Sequence, residues 1–166
     1  MKRLLTLMLA AVLALSLMAC GGGEPEAKTA FSVKNKDNFY EALANVISNN
    51  DELDGLTLDD EQVYESGDFV GVLNISEDDN GILQGVTVFV DADGPTERQY
   101  FKILNATWMA LDDKLTYDEA NGISDQLDDI WLFGGDPVVN NEIKYDANYQ
   151  SNYVTFIAAA NETTVN

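Results

Sequence analysis

The sequence predicts an α+β domain: an antiparallel sheet of four or five strands, a helical hairpin packed on one face, and a separate N-terminal helix. Three observations carry that expectation. Two β-rich runs, residues 69–76 and 82–91, flank Asn80-Gly81, the preferred pair for a two-residue type I′ turn because both positions need positive φ. Two capping-box patterns, Thr96-Glu97-Arg98-Gln99 and Thr116-Tyr117-Asp118-Glu119, each open an amphipathic run. A second alternating pair of runs, 142–148 and 153–159, closes the domain.

In chain order, Asp37 or Asn38 can cap a first helix whose stripe is Phe39, Leu43, Val46 and Ile47. Residues 49–61 read as an acidic connector, with a weakly signalled strand at 62–64. In the first hairpin the Asn80-Gly81 register sets Leu73 opposite Val88, Ile75 opposite Val86 and Gly71 opposite Val90, with Val72 against Phe89 and Asn74 against Thr87 on the other face. The next helix places Phe101, Leu104, Trp108 and Leu111 on one stripe. Its partner places Ala120, Ile123, Leu127 and Ile130 or Trp131, with Gly122 costing ~1 kcal/mol against alanine. Gly134-Gly135-Asp136-Pro137 stops that helix. Pairing the last two runs through Gln150-Ser151 puts Ile143, Tyr145, Ala147, Val154, Phe156 and Ala158 on one face. The apolar faces of the helical hairpin need such a sheet to cover them.

The first 20 residues are organised differently. A cationic start, Met1-Lys2-Arg3, precedes an apolar run at 4–15 and the small-residue punctuation of 16–20, the layout of a secretory signal. The apolar core is too short for a relaxed span, which needs roughly 20 such residues. Leu17-Met18-Ala19-Cys20 closely resembles the lipobox of bacterial lipoproteins, with Leu17 at −3 and Ala19 at −1. That resemblance covers residues 1–23 only. It implies that Cys20, the single cysteine, receives a diacylglycerol, becomes the first residue after cleavage and carries the acyl chains that hold the protein to the membrane. Each buried methylene contributes about 0.8 kcal/mol, and two or three chains make the attachment effectively permanent. The implied organisation is a signal peptide at 1–19, a flexible tether at 20–30, one domain at 31–160 and a frayed tail at 161–166. The implied location is extracytoplasmic, lipid-anchored to a bacterial cell membrane.

Composition narrows what the anchored part can do. Lys2 and Arg3 leave with the signal, so nine basic side chains become seven against 29 acidic ones, a formal −22. That balance repels nucleic acid, whose binding depends on neutralising phosphates. It also repels an anionic membrane surface within about 8 Å, the Debye length. With no histidine and no free thiol after lipidation, the usual nucleophile–base pairs and imidazole or thiolate metal sites drop out. There is no GxSxG elbow and no phosphate-cradling glycine loop. The expectation is a non-enzyme without cofactor or metal.

Acidic loops raise calcium as one alternative. Residues 50–61 match an EF-hand loop at its glycine and final glutamate but miss at Asn50 and Thr57. Paired carboxylates, the basis of a hydrolase, are singled out by no motif and come last. The remaining candidates are apolar surfaces. If the helices cover the Leu73/Val88 face, then Val70, Val72, Leu83 and Phe89 fall on the reverse face, near Tyr153 and Ile157, where the N-terminal helix or the 132–141 loop is expected to cover them. Trp131-Leu132-Phe133 cannot all point inward from one helix end, which leaves an apolar tip at Trp131 and Phe133. The expected function is a lipid-anchored accessory or binding domain that presents such a surface to a protein or envelope partner. A calcium-stabilised structural domain or a secreted-type enzyme inhibitor is the alternative.

Overall fold

The computed structural model describes residues 30–150 and 152–161. Helix α1, Lys36–Ser48, is followed by a 3-10 turn at Asp51–Leu53 and by strands β1, Leu56–Asp59, and β2, Gln62–Glu65. Strands β3, Asp68–Glu77, and β4, Leu83–Asp91, form the first long hairpin. Helices α2, Glu97–Leu111, and α3, Tyr117–Phe133, come next, then β5, Val138–Asn140, β6, Ile143–Gln150, and β7, Tyr153–Ala160. All pairings are antiparallel, in the order β1-β2-β3-β4-β7-β6-β5. The excursion from β4 through both long helices returns as β7 beside β4.

The α+β class holds, but a sheet of four or five strands is wrong: seven strands form one sheet. The additional strands are short and lie at its edges. The segment 49–61 is not a connector. It supplies the 3-10 turn and β1, in which Leu56 is buried and Leu58 partly buried while Thr57 and Asp59 point outward. Strands of three or four residues are held by neighbouring side chains rather than by their own propensity, so β1 and β5 are weak in sequence and firm in the sheet.

Turn chemistry differs as well. Both residues of Ser66-Gly67 have positive φ (54° and 92°), and so do Asn141-Glu142 (47° and 67°), so the type I′ geometry falls there. At Asn80-Gly81 only the glycine is left-handed, at φ 73°. The Asp78 carboxylate accepts the N–H groups of Asn80 and Ile82, and the Gly81 N–H donates to the Asp78 carbonyl, which makes a longer loop over Asp79, Asn80 and Gly81. The expected register nevertheless survives, with Leu73 opposite Val88 and Ile75 opposite Val86. A bulge restores it: Ser76 pairs with Gly85 and Glu77 with Leu83, leaving Gln84 as the extra residue.

That bulge moves Leu83 to the helix side, where it is buried in the core with Val86, Val88 and Val90. A second bulge does the same for Val70. Val63 pairs with Gly71 and Tyr64 with Phe69, so Val70 is extra and swings into the core. A Cβ on Gly71 would lie 2.5 Å from the Phe89 carbonyl oxygen, so only glycine fits beside this bulge.

All three helices cover one face. Helix α1 starts two or three residues earlier than expected, because the Asn35 side chain accepts the Asn38 N–H at 2.9 Å. Its Phe39 and Leu43 join the single core. The α2 stripe and Ala120, Ile123 and Leu127 of α3 are buried, α2 lying between α1 and α3 and beside β3, and α3 over β6. Both capping boxes form: the Thr96 N–H donates to Gln99 Oε1 at 2.8 Å and the Thr116 N–H to Glu119 Oε2 at 2.9 Å. Between α2 and α3 a polar seam is buried. Trp108 Nε1 donates to Ser124 Oγ at 3.2 Å, and Ser124 meets the Asn105 amide at 2.7 Å. Strand β6 runs through Gln150, which pairs with Tyr153, so the last hairpin closes one residue later than expected.

Candidate binding site

Helix α3 continues for two turns beyond the residues that bury it. Gly134, with φ 76°, ends it, and its N–H donates to the Ile130 carbonyl. The three residues before that stop are Trp131, partly buried, and Leu132 and Phe133, 48% and 81% exposed. The Trp131 ring is fixed rather than free. Its Nε1 donates to Asp128 Oδ1 at 2.8 Å, and the same carboxylate oxygen accepts the Tyr100 hydroxyl. Tyr100 in turn stacks on Phe156 of β7, with centroids 5.8 Å apart. Burial, and then the Asp128 carboxylate, push the Tyr100 phenol far above its usual range, so it stays a donor.

Tyr149 of β6, 57% exposed, lies nearly parallel to Trp131 at 6.5 Å. With Ile130, Gly134, Gly135, Pro137 and β6 residues 146–149, these rings line a cleft of about 360 Å³. No lysine or arginine lines it, whereas Asp146 does.

A larger cleft, about 640 Å³, lies between the start of α1 and the β1–β2 turn, lined by Lys36, Tyr40, Asp60, Glu61, Gln62 and Val72. The Lys36 ammonium is already engaged there, 2.8 Å from Glu61, and that hydrogen bond raises its pKa. Tyr40 Oη is buried without a hydrogen-bond partner among the described residues, and burial raises its pKa. Because that oxygen is buried, it does not face the cleft.

The six residues expected to form a partner surface divide three ways. Val70 and Leu83 are core residues, carried inward by the two bulges, and present nothing to a partner. Val72 and Phe89 face each other on the outer face of the sheet, partly exposed, in one row with Thr155. The N-terminal helix and the 132–141 loop do not cover that face: α1 packs into the core on the helix side, and Ile157 and Phe69 are also partly exposed. Trp131 and Phe133 form the separate tip. Cys20 lies outside the described residues.

Several residues of the tip were not singled out by sequence. Tyr149 is one further step of the alternation Ile143, Tyr145, Ala147. Asp128 stands three residues before Trp131, the spacing at which helix side chains meet. Neither position carries a motif. The acidic stretch 50–61 does not wrap a centre: Asn50 caps the 3-10 turn, and Leu56–Asp59 extends as β1. Among the described residues, no three carboxylates converge in a metal-ligand arrangement. None of the described helices is long and apolar enough to cross a membrane. Comparison with protein-family models, with curated proteins and with solved structures finds no match to this chain.

Proposed function

We propose that this chain is a lipid-anchored, extracytoplasmic binding module of a bacterial envelope, held by acyl chains on Cys20. It presents the α3 tip to a protein or envelope partner and performs no chemistry of its own. The observation that carries the reading is the exposed Leu132-Phe133 pair beside the anchored Trp131 ring. Large apolar side chains held outside the core at a helix end mark an interaction surface. The lipobox resemblance supports the anchorage, and the absence of histidine supports a role without nucleophilic catalysis.

The test has two arms in one preparation. The full chain is expressed in a bacterial host with an alkyne-bearing fatty acid, and photo-crosslinking amino acids are placed at Phe133 or, as a control, at the exposed Asn74. Label dependent on Cys20, together with a discrete crosslinked species at Phe133 but not at Asn74, supports the proposal. Label that persists in Cys20→Ser removes the anchorage. Equal crosslinking at both positions, or none at either, removes the binding surface.

A further inference from the structure

Strand β6 is paired on both sides only in its first half. β5 reaches Tyr145 through Val138 and goes no further, and Gly134-Gly135-Asp136-Pro137 precedes it. Beyond Tyr145, β6 keeps β7 on one side, and among the described residues no strand lies on the other. The direction of the backbone groups there follows from the ladder. The Asn161 N–H donates to the Glu142 carbonyl, so even-numbered residues of β6 face β7, and Ala147 and Tyr149 turn their N–H and C=O groups to the open edge. One of these groups already has a substitute partner: the Ala147 N–H donates to the carboxylate of its neighbour Asp146 at 2.9 Å. The open edge is one wall of the Trp131–Tyr149 cleft.

We infer that this cleft receives an extended basic peptide, added to β6 as a further strand in line with β5. The proposal rests on the binding-module reading and names its ligand. The geometry assigns the alternation of the peptide. Residues opposite Ala147 and Tyr149 exchange backbone hydrogen bonds with them and turn their side chains to the helix side, against Trp131, where apolar groups fit. Residues between them point to the other face, beside Asp146, where lysine or arginine fits. A peptide carbonyl takes over the Ala147 N–H, and the released Asp146 carboxylate is then available to a peptide cation. Strand addition of this kind draws affinity from main-chain bonds and selectivity from alternate side chains. Charge selects this occupant over a second copy of the chain. A second copy brings the same formal charge of −20 and the same Asp146 beside the edge, and like charges brought together are unfavourable.

The probe is a fluorescent peptide of alternating valine and lysine, titrated against the full chain in mild detergent at low salt. Three comparisons accompany it: the same peptide with N-methylated valines, a valine–glutamate peptide, and the Ala147→Pro variant, which removes an edge-facing N–H and no N–H that bonds to β7. Saturable binding is expected, with amide shifts at Ala147 and Tyr149 and at the Trp131 indole. Binding should weaken at least about tenfold on N-methylation and in Ala147→Pro, and be lost with glutamate. Trp131→Ala serves as the second variant should Ala147→Pro fail to fold, with the same loss expected. Equal binding of the N-methylated peptide would mean adsorption by charge alone and overturn the inference. So would shifts centred on Phe89 and Ile157, absence of binding, or a dimer through β6 in sedimentation. If Phe133 crosslinks a partner while this peptide does not bind, only the strand-addition inference falls. Loss of crosslinking at Phe133 removes the module itself.

Discussion

The two ends of α3 rest on the same strand under different conditions. At its first half, Ala120, Ile123 and Leu127 are buried over the part of β6 that has β5 and β7 on either side. There Trp108 of α2 packs edge-on against Tyr145 at 5.1 Å and bonds to Ser124. At its last turn the helix passes over the half of β6 with one neighbour, and Trp131 meets Tyr149 in place of a sealed layer. Same helix and same strand give a core at one end and a surface at the other. What separates them is the length of β5, three residues that reach only as far as Tyr145.

The widest separation between the two ends should come from Trp108. Trp108→Ala removes a fully buried ring and leaves a cavity between α2, α3 and β6, a change that costs about 3–5 kcal/mol. Urea denaturation should show this as a lower midpoint with an unchanged slope. A loss under about 1 kcal/mol would mean that the two ends of α3 are not distinguished by burial.

The cap that starts the buried end comes next. Thr116→Ala deletes the hydroxyl that accepts the Glu119 N–H at 3.3 Å, and N-cap losses run at about 0.5–2 kcal/mol. The cap also has a pH signature. The Thr116 N–H and hydroxyl hold the Glu119 carboxyl below its ordinary 4.5, so its contribution is complete above that value and is lost as pH falls through the folded-state pKa. Lys102 does the same to Glu65, bonding it at 2.9 Å between α2 and β2. The melting-temperature gap between wild type and Thr116→Ala should therefore be widest at neutral pH and narrow below about pH 4.5. A constant gap would disconnect the cap from that carboxylate.

Gly122 sits in the buried end's second turn, where an added Cβ would meet nothing within 4 Å. Gly122→Ala should raise stability by about 0.5–1 kcal/mol, through helix propensity and a less flexible unfolded chain. Thermal melting reads it directly. A decrease would mean that the open space is needed by something the fold does not show.

How far such contrasts could be read from the sequence depends on where information is stored. Both long helices, their capping boxes and the β3–β4 register were legible, because spacing and caps act within one segment. The inward residues of β6 and β7 followed from alternation alone. The bulges were not, since an extra residue becomes visible only against its partner strand, yet Val70-Gly71 and Gln84-Gly85 carry a glycine in strand interiors, the available hint. Missing that hint placed Val70 and Leu83 on the wrong face. The edge strands β1 and β5 escaped because three or four residues hold too little pattern. For the tip, Trp131 and Phe133 were readable as surplus apolar residues at a helix end. Tyr149, Tyr100 and Asp128 were not, because three separate elements bring them together.

The smallest effect is expected at the exposed end, and its smallness is the point. Phe133 is 81% exposed, and its ring takes part in none of the aromatic contacts that join Trp131, Tyr149, Tyr100 and Phe156. Phe133→Ser therefore gives up little burial on folding and should change stability by no more than about 0.5 kcal/mol, the ordinary range for a surface substitution. Combined with Trp108→Ala, the two effects should simply add, since the rings belong to separate layers of the helix. Folding that ignores an exposed phenylalanine leaves that ring open to the partner the proposed reading assigns to it. A loss of 2 kcal/mol or so in Phe133→Ser would show the opposite: the tip would be part of the core, and the difference between the two ends of α3 would vanish.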